Sequence, residues 1–386
     1  MRRACMVAYA SYSTDARIKN YAQALLKQGY EVDVFALGRP EPCRSRLRVH
    51  CLMPKVWSTS ILPYAFSQLW FLFLVALRVT VSFAGRRYEF VHVHNMPDLL
   101  VLAALVPKLF GARIILDVHD TMPEAYATKF DLPLSHPLIG LIRLEETISA
   151  ALADRVFTTN ELHREALVGH GIPADKITVI MNVGNQTIFK PQHKIAPRDG
   201  LTLVYHGTIA ERLGPDLILE AIRVVRPVCP GLRLMLIGDG DFMPSIKRLV
   251  AEYDLGDVVS LTGWLAVEQL PHYLAQADVG VVGNRRYTEE RQNWMLPVKM
   301  LEYAAMEIPA IAPRLRVIEH YFDGRSAILY EPDSVEDLAR CIRAVYAQPS
   351  RLHALRSGLR SFNSKYNWAA MEKRYLESVA SFASEA

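Results

Sequence analysis

Residues 293–312 read NWMLPVKMLEYAAMEIPAIA, and the run ADVGVVGN at 277–284 precedes them. Val279, Val281 and Val282 make a short β-branched strand, which the Gly283-Asn284 pair turns. Pro297 has the fixed φ and missing N–H that suit the first turn of a helix. Met300, Leu301, Ala304 and Ala305 follow at helical spacing, and Ile308-Pro309 leads into a second strand, Ala310 to Ala312. Strand, loop, helix, strand is the repeating unit of a parallel α/β sheet. The start of such a helix presents free N–H groups and a partial positive charge, which suits a phosphate. Lys299 in the first turn opposes the helix dipole, a mismatch that an anion at this end removes. Glu302, one turn on, can accept from sugar hydroxyls. The same two residues, three apart, also make an ordinary solvated ion pair, and composition alone favours that reading.

The same alternation runs outward in both directions. Leu201 to Tyr205 is a strand entering His206-Gly207-Thr208, followed by a loop with Glu211 and Arg212 and a helix from about Pro215. Arg233 to Ile237 is a strand entering Gly238-Asp239-Gly240-Asp241, which has too few glycines for a dinucleotide fingerprint and reads as a tight turn. Val258 to Thr262 ends at Gly263-Trp264. Towards the N-terminus, Ala4 to Tyr9 is a strand, 11–15 a polar loop, and Ile18, Tyr21, Ala22, Leu25 and Leu26 share one face of a helix that Gly29 ends. Strands follow at Glu31 to Leu37, Phe90 to Val93, Arg113 to Leu116, Arg155 to Thr159 and Ile177 to Met181. Helices are expected over Leu99 to Phe110, around Ile139 to Ala153, and from Ser364 to Ala386. Open α/β sheets place their chemistry at the carboxyl ends of strands, where His94 and the stretch DVHDTMPE (117–124) stand. Turns and caps use the same residue types.

LPVKMLEYAAMEIPAIA resembles the nucleotide-sugar-binding motif of the family 4 retaining glycosyltransferases, in the bacterial polysaccharide-type subgroup whose motif runs Leu-Pro-x-Lys-x-x-Glu-Tyr. The resemblance extends over nearly the whole chain and implies the GT-B fold, α/β with two Rossmann-like domains facing across a cleft. Its expected divisions are an acceptor-side domain at 1–186, a linker at 187–200, a donor-binding domain at 201–363 and a C-terminal helix, 364–386, crossing back to the first domain. By this resemblance Glu302 holds the ribose hydroxyls of the donor, and the amides of Val298 and Lys299 approach its diphosphate. Asn293 and Trp294 belong to the same donor set, Trp294 standing where the wider family carries the first of two glutamates. Arg212 lies one residue before the usual diphosphate-clamping lysine position, here Leu213; as a lone arginine it also fits the surface. Gly207, Thr208 and Gly238 line the donor turns. Trp264 and Leu265 are candidate base contacts, with a core tryptophan the alternative. His119 matches the family's cleft histidine near the reacting sugar, and Asp120 joins it and Lys299 and Arg212 in the catalytic set. Asp117, Glu124, Asp15, Arg17 and His94 fall on the acceptor side, with a surface cation the other reading of Arg17.

At 386 residues the chain suits two domains, and 51% apolar with 22% charged residues is a globular composition. Five cysteines, odd in number and without a C-x-x-C pair, argue against a disulfide framework or a zinc site and for a reducing compartment. No signal peptide is expected from the opening residues. Residues 1–190 hold 21 Lys and Arg against 16 Asp and Glu, and 191–386 hold 23 against 24. A basic first half suits an anionic surface or an acidic substrate. The apolar segment Ile61 to Ala84, with LWFLFLVAL at its centre and Arg78, Arg86 and Arg87 close by, approaches a membrane span in length. A span would put the two sides of one sheet across a bilayer. Core packing together with peripheral contact with anionic lipid is the expectation.

The reading is a metal-free, retaining sugar transferase with no cofactor. A nucleotide-diphosphate sugar, UDP or GDP type, is its co-substrate, and a glycan or polyprenyl-linked acceptor receives the sugar in surface-polysaccharide synthesis. The expected place is the cytoplasm, at the inner face of the plasma membrane; no nucleic-acid partner is expected. Two other classes fit the same fold: an epimerase or hydrolase of nucleotide sugars, and a catalytically silent nucleotide-sugar-binding subunit.

Overall fold

The computed structural model describes residues 2–39, 45–54, 61–192, 200–286 and 294–384. The chain forms two compact units, Met1–Met181 with Glu290–Trp294 and Met371–Ala386, and Asn182–Glu289 with Met295–Ala370. Half of the expected linker, 193–199 of 187–200, lies outside the described residues, as does Asn293.

The first unit is built on seven strands: β1 (Arg3–Ser11), β2 (Glu31–Leu37), β3 (Leu47–Met53), β4 (Phe90–His94), β5 (Arg113–Val118), β6 (Arg155–Thr158) and β7 (Ile177–Val179). Every pairing is parallel, in the order β3-β2-β1-β4-β5-β6-β7. The edge strand β3 is not anticipated by the sequence reading, although Leu47, Val49 and Cys51 alternate with Arg48 and His50 as residues of a strand do. Helices α1 (Ala16–Lys27), α2 (Ile61–Arg86), α3 (Leu105–Leu109), α4 (Met122–Lys129), α5 (Pro137–Leu152) and α6 (Glu161–Gly169) cover the sheet. The helix expected over 99–110 is a 3₁₀ turn at Asp98–Ala104 followed by α3; Pro97 and Pro107 remove backbone donors at both places.

Helix α2 has two apolar faces. Phe71, Val75, Val79 and Phe83, at spacing four, are buried in the core beside Cys5, Val7, Val91 and Val93. On the other side Leu62, Phe66, Leu69, Trp70, Phe73, Leu77 and Val81 are exposed. By length and composition α2 is able to cross a bilayer, yet its inner face belongs to the core of this unit. Arg86 differs from the expectation: its guanidinium is taken by Glu31 (2.7 Å) and Asp33 (2.8 Å), leaving Arg78 and Arg87 as the exposed cations of this region.

The second unit has strands β8 (Thr202–His206), β9 (Arg233–Ile237), β10 (Val259–Gly263), β11 (Val279–Val281), β12 (Ala310–Pro313) and β13 (Ala327–Tyr330), all parallel, in the order β10-β9-β8-β11-β12-β13. Its helices are α7 (Pro215–Val225), α8 (Met243–Glu252), α9 (Leu270–Leu274), α10 (Val298–Ala305), α11 (Arg316–Tyr321), α12 (Val335–Ala347) and α13 (Arg351–Lys365). The core lies between the sheet and α7, α8 and α12, around Leu203, Tyr205, Ile222, Leu234 and Ile342.

The expected terminal helix from Ser364 is two helices, α13 and α14 (Trp368–Ser384). Asn367 separates them, accepting from the Ala370 N–H (2.9 Å) as a cap does. Although last in sequence, α14 belongs to the first unit, where Tyr375 packs on Tyr21 with ring centres 4.4 Å apart.

Candidate active site

Strand order reverses between β8 and β11 in the second unit and between β1 and β4 in the first. In a sheet of this kind the loops leaving the strands at that reversal open a crevice for ligands. Of the expected donor residues, Gly207, Thr208, Arg212, Val298, Lys299 and Glu302 stand by the first of these places, and the expected acceptor residues stand by the second.

In the second unit α10 begins at Val298, one place later than expected, with Pro297 as its N-cap rather than in its first turn. Proline has no side-chain acceptor, so the first-turn amides are left without a side-chain cap. Val298 is exposed and Lys299 buried. The Lys299 Nζ lies 3.6 Å from the centre of the Tyr205 ring and has no hydrogen-bond partner. Burial, partly offset by Glu302 and reinforced by Arg212, pulls its pKa from 10.5 to about 7. The Tyr205 hydroxyl donates to the Thr208 carbonyl (2.7 Å), which fixes the ring below the amine. Glu302 meets the Nε2 of His206 at 2.5 Å. Arg212 is exposed, with no ion pair among the described residues, and its carbonyl accepts from the Arg285 N–H (3.3 Å).

Three loops touch backbone to backbone around this point. Gly238 has φ +140°, and a Cβ there would stand 1.9 Å from the Gly207 carbonyl oxygen; Gly214, with φ +60°, would meet the Gly283 oxygen at 2.0 Å. Only glycine fits either place. Gly207 and Thr208 are exposed, and Gly184 rests against Ala305 and the Glu302 Cα. Trp264 is 73% exposed, which removes the core-tryptophan reading, and Leu265 is half-buried.

Trp294 falls in the first unit, where its carbonyl accepts from Asn160 Nδ2 at 2.8 Å. Asp117, at the end of β5, is the hub of that unit's polar cluster. Arg17 grips it with two bonds, Nε to Oδ2 (2.9 Å) and Nη2 to Oδ1 (2.7 Å), and spends Nη1 on the Ile180 carbonyl (2.6 Å). His94 Nδ1 (3.1 Å) and His119 Nε2 (2.9 Å) meet the same Oδ2. Burial works against the carboxylate, but Arg17 and then His119 hold its pKa well below the usual range.

These contacts bear on five expected assignments. Arg17 is buried and paired with Asp117, so it is not the surface cation of the other reading. Asp117 and His94 are buried too, and bond to each other. Asp15 caps α1, accepting from the Ile18 N–H. Glu124 is buried against His170 (3.3 Å), whose other nitrogen meets Glu146 at 2.6 Å. His119 keeps a partly open ring; its backbone N–H donates to Asn95 Oδ1 (2.8 Å), while Asn95 Nδ2 donates to the carbonyl of half-buried Asp120 (2.7 Å).

Among the described residues His92, His94 and Asp117 are a group with metal-ligand chemistry close together. Arg17 already supplies the countercharge on Asp117 and would face any cation there, so the donor set does not fit a metal. His206, Tyr205, Asn95 and Gly184 were missed by the sequence reading. A histidine at a strand end before Gly-Thr was the available signal for the first.

Comparison with known proteins identifies the domains that carry these residues. A family model described as "Glycosyl transferase 4-like domain" matches residues 14–183, and one described as "Glycosyl transferases group 1" matches 200–348. A D-inositol 3-phosphate glycosyltransferase of Thermobispora bispora is 26% identical over 322 residues, 78% of this chain and 72% of its own length. The amylovoran biosynthesis glycosyltransferase AmsK of Erwinia amylovora is 25% identical over 44% of each chain. The structure of sucrose-phosphate synthase from Thermosynechococcus elongatus superposes with a TM-score of 0.79 at 19% identity, over all of both chains. That of Anabaena HepE in complex with UDP-glucose gives 0.72 at 12%, over 98% of this chain and 99% of its own. The fold is that of a glycosyltransferase of the GT-B type. The chain carries two glycosyltransferase domains, a glycosyl transferase 4-like domain at 14–183 and a glycosyl transferases group 1 domain at 200–348.

Proposed function

We propose that this enzyme moves a sugar, with retention of anomeric configuration, from a nucleotide-diphosphate sugar of UDP or GDP type to a glycan or polyprenyl-linked acceptor in surface-polysaccharide synthesis. The observation that carries the donor half is Lys299: a buried, unpartnered amine at the uncapped start of α10, one turn from Glu302. A buried cation without a partner is costly, and a diphosphate supplies the partner. As the glycosidic bond breaks, charge gathers on the leaving diphosphate. Lys299, Arg212 and the α10 amides stabilise it there, in the role that a metal fills elsewhere. Glu302 takes the ribose hydroxyls and Trp264 the base. His119, set by Asp117, and Asp120 serve the acceptor side.

Anabaena HepE binding UDP-glucose and the amylovoran role of AmsK support the donor and acceptor classes respectively. The exposed apolar face of α2, flanked by Arg78 and Arg87 and free of acidic side chains along the whole helix, supports work at an anionic membrane on the cytoplasmic side. The test is thermal shift and calorimetry against a panel of UDP and GDP sugars, with product analysis on lipid-linked and soluble glycan acceptors. Stabilisation by one nucleotide sugar, and its loss in Glu302→Ala, is the expected result. No binding to any of the panel, by a folded protein, overturns the reading.

A further inference from the structure

We infer that His206 is a positioning residue for donor recognition: its Nε2–H holds the Glu302 carboxylate in the orientation that leaves the other oxygen for the ribose. The inference rests on the donor reading of Glu302 and adds a residue that neither the motif nor the comparisons assign.

The geometry begins with what Glu302 lacks. It stands in the second turn of the short helix α10, and among the described residues its hydrogen bond is to His206 alone, at 2.5 Å. Glutamate has three side-chain rotors, and a carboxylate that must meet two hydroxyls loses affinity for each rotor left to be ordered on binding. One strong bond to a rigid donor removes that cost beforehand. A carboxylate accepts, so the shared hydrogen sits on Nε2.

His206 is rigid for three reasons. Its backbone is the last paired residue of β8, in register with Ile237. Its ring is buried and meets the edge of Tyr303 at 4.8 Å and 78°. Tyr303 in turn is anchored by its hydroxyl on the Val204 carbonyl (2.9 Å), with its ring filling the space that a side chain at Gly280 would need. The other ring nitrogen, Nδ1, is buried without a partner, so the ring's polar chemistry is directed to Glu302. The neighbouring groups serve other contacts: Tyr205 bonds Thr208, and Lys299 lies over the Tyr205 ring.

The experiment is a double-mutant cycle read by calorimetry with UDP, or with GDP if the wild type takes that nucleotide. His206→Ala should weaken the nucleotide about tenfold, and should add nothing further in a Glu302→Ala background. His206→Gln, whose amide nitrogen reaches the place of Nε2, should bind within about twofold of wild type, whereas His206→Asn, one bond shorter, should behave as Ala does. The Gln and Asn pair carries the test if the alanine variant does not fold. Losses that add across the cycle, or a Gln variant as weak as Asn, overturn the positioning role while leaving Glu302 in the donor site. A wild type that binds neither nucleotide overturns the donor reading and this inference with it. A ligand-free measurement stands beside these: side-chain nitrogen spectra should show a slowly exchanging Nε2–H in the wild type that becomes fast in Glu302→Ala. Protonation at Nδ1 alone overturns the inference.

Discussion

The Lys299 amine sits 3.6 Å above the centre of the Tyr205 ring and has no hydrogen-bond acceptor. Its pKa of about 7 lies below the ordinary 10.5. Between those values the unfolded chain holds a proton that the folded chain has released, so this group's contribution to stability rises with pH across that window. A bound diphosphate restores the charge. The affinity for UDP should therefore fall as pH rises above about 7, by at most about tenfold per unit. Calorimetry at pH 6.5, 7.5 and 8.5 checks this, and the slope should vanish in Lys299→Met. Turnover in that variant should drop roughly 100-fold, since the leaving group gains most of its charge in the transition state.

Arg17 and Asp117 form a buried, doubly bonded pair. Arg17→Met strands a carboxylate away from water and should cost about 3–5 kcal/mol. Replacing both, as Arg17→Met with Asp117→Leu, should recover much of that loss, although His119 then loses its partner and activity should stay low. Urea unfolding of the three proteins is the measurement. A single variant as stable as wild type would mean that Asp117 reaches water.

His170 bridges Glu124 and Glu146, and those carboxylates, against the opposing effect of burial, raise its pKa to about 9. The ordinary value is 6.5, so the stabilisation is fully present below about pH 6.5 and is lost as pH rises through about 9. The difference in melting temperature between wild type and His170→Gln should shrink steadily over that range. Taking the difference removes the opposite trend from Lys299. A constant gap would place His170 outside the ion pair.

The outer face of α2 should bind vesicles. Flotation with anionic liposomes at low salt should carry the wild type, fall with added salt, and be lost in Phe73→Glu/Leu77→Glu. Arg78→Glu/Arg87→Glu should weaken it, each cation being worth about 1 kcal/mol near such a surface. Arg86 is unsuitable for this test because it is committed to Glu31 and Asp33. Equal flotation with neutral vesicles would remove the electrostatic part of the proposal.

Much of the fold was legible because local spacing reports local backbone. The strand at Arg233 to Ile237, the start of α10 and the amphipathic face of α1 follow from periodicity, proline and glycine within a dozen residues. The break at Asn367 was also written locally, as a capping residue, and was passed over. Lys299 and Glu302 share one short helix, and that neighbourhood was legible as well.

What the sequence determined by itself was the alternation of strands and helices, the glycine turns and the identity of the charged groups at strand ends. The tertiary structure alone decided which of those groups meet. His206 and Glu302 are 96 residues apart, Arg17 and Asp117 are 100 apart. Both pairs form where the order of a parallel sheet reverses, and that order is set by the packing of whole faces. Sequence spacing therefore placed Arg17 in a polar loop, while burial of its helix against β4 and β5 turned the same cation into an internal counterion. The physical reason is range. Backbone preference acts over a few residues, whereas the cost of leaving a buried charge or polar atom unpaired is settled only when distant strands come together.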